Sequence, residues 1–202
     1  MTQKLVQFVK SAVKPEQYPI MKDPRGIELP EVAVAGRSNV GKSSLINHFL
    51  NLKHLAKASS VPGKTQLINF FKIGEEYAIA DLPGYGFAKV PSGIRKEWGP
   101  MIGNYLEKRS SLKLMLFLLD IRRIPSKEDL TLIEWALFHK RSVLLVLTKS
   151  DKLKKSEIKP QCEKIFNVLG ELDWPYILYS VKSGMARKEL QHAISQLLKG
   201  DS

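Results

Sequence analysis

Eight consecutive residues, Gly36-Arg37-Ser38-Asn39-Val40-Gly41-Lys42-Ser43, carry the densest chemistry in the chain: two glycines, a lysine and two serines at the spacing of a phosphate-cradling loop. The glycines let the backbone curl so that successive N–H groups point at one anion, and a helix start just beyond adds its positive dipole end. An apolar run, Val32 to Ala35, precedes the loop, and Ser44-Leu45-Ile46-Asn47-His48-Phe49-Leu50 follows with helical spacing. Strand, loop and helix thus stand in the right order, with Ser44 closing the cradle. Lys42 is predicted to reach β- and γ-phosphates, and the Ser43 hydroxyl to sit on magnesium. The expected ligand is a nucleoside triphosphate.

Three further strand ends fit such a site. Asp81-Leu82-Pro83-Gly84 offers a carboxylate for magnesium and, at Gly84, an N–H for the γ-phosphate. Thr148-Lys149-Ser150-Asp151 ends in a carboxylate that can accept both N1–H and the exocyclic amine of guanine, a donor pair adenine lacks. The Lys149 stem would lie over the base with its charge in water. Ser180-Val181-Lys182 presents backbone N–H groups to the guanine O6. Upstream, Pro62-Gly63-Lys64-Thr65 places a second magnesium hydroxyl, Thr65, in a segment expected to order around the γ-phosphate as a switch.

Positioning these loops requires an α/β domain. Branched apolar runs at Val32–Ala35, Leu67–Ile73, Tyr77–Leu82, Leu112–Asp120, Ser142–Thr148 and Trp174–Ser180 predict six strands. Helical patterns cover about Lys42–Asn51, Gly93–Lys108, Lys127–His139, Ser156–Leu169 and Met185–Leu198. Only Gly74-Glu75-Glu76 separates the second and third strands, so that pair is expected antiparallel in an otherwise parallel sheet with helices on both faces. Residues 1–30 mix Pro15, Pro19, Pro24 and Pro30 with Lys and Glu and read as a mobile or wrapping extension. The domain boundary is set at residues 28/29, with the nucleotide domain over residues 29–199.

Composition narrows the class. The 202 residues, 44% hydrophobic and 26% charged, suit one soluble globular domain. A formal charge of +12 points to a polyanionic partner. Basic residues gather at Arg95-Lys96, Lys108-Arg109, Arg122-Arg123, Lys140-Arg141 and Lys152 to Lys155. The single cysteine, Cys162, excludes an internal disulfide and is expected to pack on a helix, and His48, His54, His139 and His192 lack metal-ligand spacing. No run is long enough to span a bilayer, and no signal peptide, myristoylation glycine or prenylation box is visible, so a cytoplasmic protein without such an anchor is expected.

Taken together, Gly36 through Asn47, Pro62-Gly63-Lys64-Thr65-Gln66, Asp81-Leu82-Pro83-Gly84-Tyr85-Gly86 and Thr148-Lys149-Ser150-Asp151-Lys152 resemble the EngB/YsxC/YihA family of bacterial GTP-binding proteins, within the TrmE-Era-EngA-EngB-septin-like GTPases. Asp120-Ile121-Arg122 before Pro125, and Trp98 followed by Tyr105-Leu106, fit that family as well, and the similarity runs from about residue 5 to residue 198. The resemblance implies a monomeric Ras-like P-loop GTPase domain, a part in assembling the large ribosomal subunit with ribosomal RNA as the polyanion, and links to cell growth and division. Lys64 stands where the family usually has Arg, and Thr148 where the general GTPase pattern has Asn.

Most Ras-like enzymes carry a water-orienting glutamine just after the Asp-x-x-Gly element; here that residue is Tyr85, so slow intrinsic hydrolysis is expected. The resemblance offers Asn39 as a partial substitute, since related GTPases with asparagine at this place hold a potassium ion against the phosphates. The expected catalytic set is therefore Lys42, Thr65, Gly84 and Asn39. Two rival readings share parts of the pattern. A metabolic kinase or adenine-nucleotide hydrolase would have the same loop, against which Thr148 to Asp151 argues. A structural RNA-binding protein would use nucleotide only to stabilise its fold.

Overall fold

Period-two alternation along the central strands decides the architecture. In the computed structural model, which describes residues 5–51, 67–86, 92–170, 174–184 and 186–200 (92–97 as backbone alone), the apolar runs form a seven-stranded sheet. The elements in order are β1 (Val6–Ala12), β2 (Glu31–Gly36), α1 (Lys42–Leu50), β3 (Ile68–Ile73), β4 (Tyr77–Asp81), α2 (Ser92–Lys108), β5 (Leu112–Asp120), α3 (Lys127–Phe138), β6 (Ser142–Thr148), α4 (Lys155–Leu169), β7 (Tyr176–Tyr179) and α5 (Arg187–Gly200). Their spatial order is β1-β3-β4-β2-β5-β6-β7.

Val32 and Val34 of β2, with Leu114, Leu116 and Leu118 of β5, pack under α1 and α5. Their alternates, Ala33, Ala35, Met115, Phe117 and Leu119, pack under α2, α3 and α4. Strands covered on both faces read as near-continuous apolar runs, and β2 is buried at every position, with Glu31 at its start the one charged residue in it. Cys162 is buried in α4 within the second of these layers, where burial raises its thiol pKa. Among the described residues no helix is long and apolar enough to cross a membrane.

β3 runs antiparallel to both of its neighbours, β1 and β4; every other pairing is parallel. The predicted β3–β4 hairpin and the helices on both faces are therefore present. The strand count differs from expectation, seven against six, because Val6–Ala12 joins the sheet as its edge. Its signal is weak in sequence: an irregularity between Phe8 and Lys10 breaks the alternation, and only the last residue is buried. Beyond β1, Met21 and Leu29 are buried in the core.

At the end of the sheet where β2 begins, a fully buried Glu31 meets Arg109 through paired contacts, Nη2 to Oε2 at 2.7 Å and Nε to Oε1 at 3.1 Å. Tyr105 Oη donates to Glu31 Oε1 at 2.6 Å, and Arg109 Nη2 also donates to the Pro19 carbonyl at 2.7 Å. Burial alone would lower the Arg109 pKa, but hydrogen bonding and charge from Glu31 raise it. This ion pair ties α2 and the segment around Pro19 to the central strand. Arg109→Ala strands a buried carboxylate and is expected to lower stability by about 3–5 kcal/mol, whereas a combined Glu31→Leu, Arg109→Met, Tyr105→Phe variant recovers most of that loss. Urea unfolding of the two variants checks this; equal destabilisation would contradict it.

Candidate functional site

Parallel pairing delivers five strand ends to one edge. Val34 lies beside Asp81, Gly36 beside Leu118, Asp120 beside Thr148 and Thr148 beside Tyr179. The loops after β2, β4, β5, β6 and β7 therefore leave the sheet together, which is where open α/β sheets bind ligands.

The loop after β2 turns into α1 through Gly41, whose φ of 105° suits glycine and not a side-chain-bearing residue. Asn39 also adopts a left-handed backbone, φ 67°. Ser43 and Ser44 are exposed in the first turn of α1, and Leu45 N–H donates to the Gly41 carbonyl at 2.8 Å. The Lys42 ammonium sits on the Asp81 carboxylate in an ion pair that is almost wholly buried. The structure thus brings together the two residues expected at the γ-phosphate and the metal. Gly84 presses against the loop: a Cβ there would lie 3.2 Å from Ser38 Oγ and 3.3 Å from Ser38 N. Ser38 N–H donates to the Tyr85 carbonyl at 2.8 Å, so the Asp81-to-Gly84 turn and the phosphate loop are stitched side by side. Val40 and Leu82 point into the core and present only backbone to the edge. A cavity of about 360 Å³ opens beside the loop, lined by Arg37, Ser38, Asn39, Asp120, Arg123 and Lys149 among others.

Tyr85 turns away from this edge. Its hydroxyl donates to Asp129 Oδ1 at 2.5 Å and its ring lies 5.1 Å from that of Trp98, whose Nε1 donates to the Pro83 carbonyl at 3.0 Å. Burial, together with the adjacent Asp129 carboxylate, pushes the phenol pKa far up, so it remains a neutral donor. A side chain committed to the core does not orient water at the edge.

At the other end of the edge, the Thr148 hydroxyl lies 2.8 Å from the Val40 carbonyl and 3.1 Å from that of Leu119, tying β6 to the phosphate loop. Lys149 reaches back, its Nζ 2.7 Å from the Asn39 carbonyl. Ser150 is buried, and Asp151 Oδ1 accepts from Ser180 Oγ at 2.7 Å. Ser183 N–H donates to the same Ser180 oxygen at 3.2 Å, so the turn carrying Val181 and Lys182, both exposed, closes on the hydroxyl that holds the carboxylate. Gly63, Lys64 and Thr65 lie outside the described residues.

Two contributors escape a reading of spacing. Ser180 was expected to offer only backbone, yet its side chain aims Asp151; nothing local in the sequence announces a contact across 29 positions. Asp120 closes β5 and binds Lys149 Nζ at 2.9 Å. The basic clusters also need correction. Arg109 is buried against Glu31, and the Arg141 guanidinium caps the Leu106 and Leu112 carbonyls, so neither faces a polyanion. Arg122 is paired with Asp120. Lys108, Lys140, Lys152, Lys154 and Lys155 remain exposed, while the Arg95 and Lys96 side chains lie outside the described residues.

A lysine-bearing phosphate loop beside a strand-end aspartate, with a second, serine-held aspartate two strands away, defines a P-loop GTPase of Ras-like fold. The family model "50S ribosome-binding GTPase" matches residues 31–149. "Probable GTP-binding protein EngB" of Protochlamydia amoebophila (strain UWE25) is 52% identical over 195 residues, 96% of this chain and 95% of that protein. Its namesake in Syntrophus aciditrophicus (strain SB) is 49% identical, covering 98% of this chain and 96% of that one. The chain belongs to the EngB family of GTP-binding proteins, P-loop enzymes that hydrolyse GTP. Among solved structures, a probable GTP-binding protein engB shares the fold with a TM-score of 0.66 at 24% identity, over 84% of this chain and 99% of that one. Era in complex with MgGDPNP and nucleotides 1506–1542 of 16S ribosomal RNA shares it at a TM-score of 0.62 and 24% identity, over 84% of this chain and 56% of that one.

Ser180→Ala frees the Asp151 carboxylate to rotate and is expected to weaken GTP about tenfold, near 1.4 kcal/mol, with little effect on melting temperature. Titration calorimetry checks this, and wild-type affinity would contradict it.

Proposed function

We propose that this protein is a GTP-driven switch that assists assembly of the large ribosomal subunit, and through it cell growth and division, as a cytoplasmic monomer. One observation carries the nucleotide half of the reading. The carboxylate suited to guanine, Asp151, and the phosphate-reaching Lys42 stand on one sheet edge, each already held by a partner. On this reading the amides from Gly36 to Ser44 grip the phosphates, Gly63, Lys64 and Thr65 close over them, and the Gly84 N–H meets the γ-phosphate. Leu82 and Pro83 contribute backbone beside it. Asp151 vets the base with Ser180, Val181 and Lys182 at O6, and Lys149 packs on its face, while Thr148 braces the loop. ATP fails this test because adenine offers neither N1–H nor a C2 amine.

Magnesium, which the GTPase family generally uses, would be held by Ser43, Thr65 and Asp81. Hydroxyls and one carboxylate are the hard oxygen donors it takes alongside phosphate. When bound, it neutralises charge on the β- and γ-oxygens.

Because Tyr85 is committed to the core and orients no water, hydrolysis draws on another group, and a cation at the phosphates is one that would serve. We assign that role to potassium held at Asn39. GTP turnover is then expected to rise when potassium replaces sodium at constant ionic strength; equal rates in the two salts would remove this assignment.

For the ribosomal half, support comes from the description of the family model, from the +12 charge, and from the exposed lysines of α4 beside the base end. Contacts mainly to phosphates make binding fall steeply with salt. Purified large subunits are expected to sediment with the protein more strongly with a non-hydrolysable GTP analogue than with GDP, and to lose it as salt rises. Nucleotide-independent sedimentation would favour the structural RNA-binding alternative.

A further inference from the structure

We propose that Asp120 is a positioning residue for the nucleotide: its carboxylate pins the Lys149 ammonium against the Asn39 carbonyl and thereby sets how long guanine nucleotide stays bound. The proposal rests on the reading above that Lys149 lies over the base.

Asp120 is the last residue of β5 and pairs in register with Thr148 on β6, which places it one residue from Lys149 across the sheet. Lys149 has a left-handed backbone, φ 60°. That conformation, uncommon for a lysine, sends its stem back over the phosphate loop, where its Cε lies 3.9 Å from the point a Cβ on Gly41 would occupy. Nζ then ends between two oxygens, 2.7 Å from the Asn39 carbonyl and 2.9 Å from Asp120 Oδ2.

The carboxylate is itself fixed. Only 7% exposed, it accepts from Arg122 Nε at 2.9 Å, Nη2 at 2.7 Å and the backbone N–H at 3.2 Å. Burial would raise its pKa, but the hydrogen bonds from Arg122 and Lys149 outweigh that and hold it well below the usual carboxylate range. Asp120 is therefore charged wherever the protein works.

A lysine side chain loses much rotamer freedom when it is immobilised. With Asp120 in place that ordering is complete before nucleotide arrives, and binding energy is not spent on it. Without Asp120, one of the two groups holding Nζ is gone, the stem swings into water, and the Asn39 end of the loop loses its tie to β6. The Arg122 contacts, two residues along the chain, hold the carboxylate but do not reach Lys149, and the one from the backbone N–H does not depend on the Arg122 side chain.

The test is release of a fluorescent GDP analogue in stopped flow. Asp120→Asn keeps size and removes charge; it is expected to speed release about tenfold by weakening the one contact to Lys149, and Lys149→Met, which loses the contacts to both Asp120 and the Asn39 carbonyl, to speed it at least as much. The double variant is expected to release no faster than Lys149→Met alone, and Arg122→Ala to stay within about twofold of wild type, since it leaves Lys149 held. Asp120→Ser repeats the measurement should the asparagine variant fold poorly, as judged by its nucleotide-free melting temperature. Fast release from Lys149→Met with wild-type release from the Asp120 variants overturns the positioning role, as do effects that simply add in the double variant. Wild-type release from both single variants overturns the placing of Lys149 on the base.

Discussion

The nucleotide edge depends on one constraint: β2 is buried on both faces between two parallel neighbours. A strand in that position has no freedom of register, because a slip of one residue would exchange its Val32/Val34 and Ala33/Ala35 faces between two differently shaped helical layers. With register fixed, Val34 stays beside Asp81 and Gly36 beside Leu118. The meeting of Lys42 with Asp81, and of the loop with the Asp81-to-Gly84 turn, then follows from the register that the apolar packing selects and the backbone ladder holds. The buried Glu31–Arg109 pair at the opposite end fixes where β2 begins and so completes the same constraint.

The edge itself is held differently. Its contacts are hydrogen bonds between loops: Ser38 to Tyr85, Thr148 to Val40, Lys149 to Asn39, Ser180 to Asp151. Each is modest alone, about 1 kcal/mol net for a neutral pair. Such contacts do not drive folding; they select one arrangement of loops whose stems are already placed. A rigid sheet with a hydrogen-bonded rim suits an enzyme whose ligand must enter, react and leave.

How much of this was legible depends on whether a role is local. The phosphate loop reads directly because glycine, lysine and serine at fixed spacing encode backbone shape and charge within eight residues, and the hairpin reads because three turn residues permit nothing longer. Tyr85 announced by its identity what it does not do. By contrast, Ser180 and Asp120 act on residues 29 positions away, a relation that exists only after β5, β6 and β7 pair. Val6–Ala12 was hidden because an edge strand broken by an irregularity carries little alternation. Arg109 and Arg141 were misplaced because a count of cations contains no information about their partners.

The fate of Tyr85 links these points. Its ring packs on Trp98 and its hydroxyl is held by Asp129, whose other oxygen accepts the Ser126 N–H at the start of α3. One carboxylate thus caps a helix and anchors the residue that follows Gly84. An aromatic ring so placed stiffens the turn after β4 at its far side, while its backbone carbonyl receives Ser38 N–H at the near side. The position therefore contributes rigidity rather than chemistry. Removing that ring and hydroxyl would leave the Asp129 oxygen and the Trp98 face without their partner, so the turn would lose the contacts that fix it from the core side.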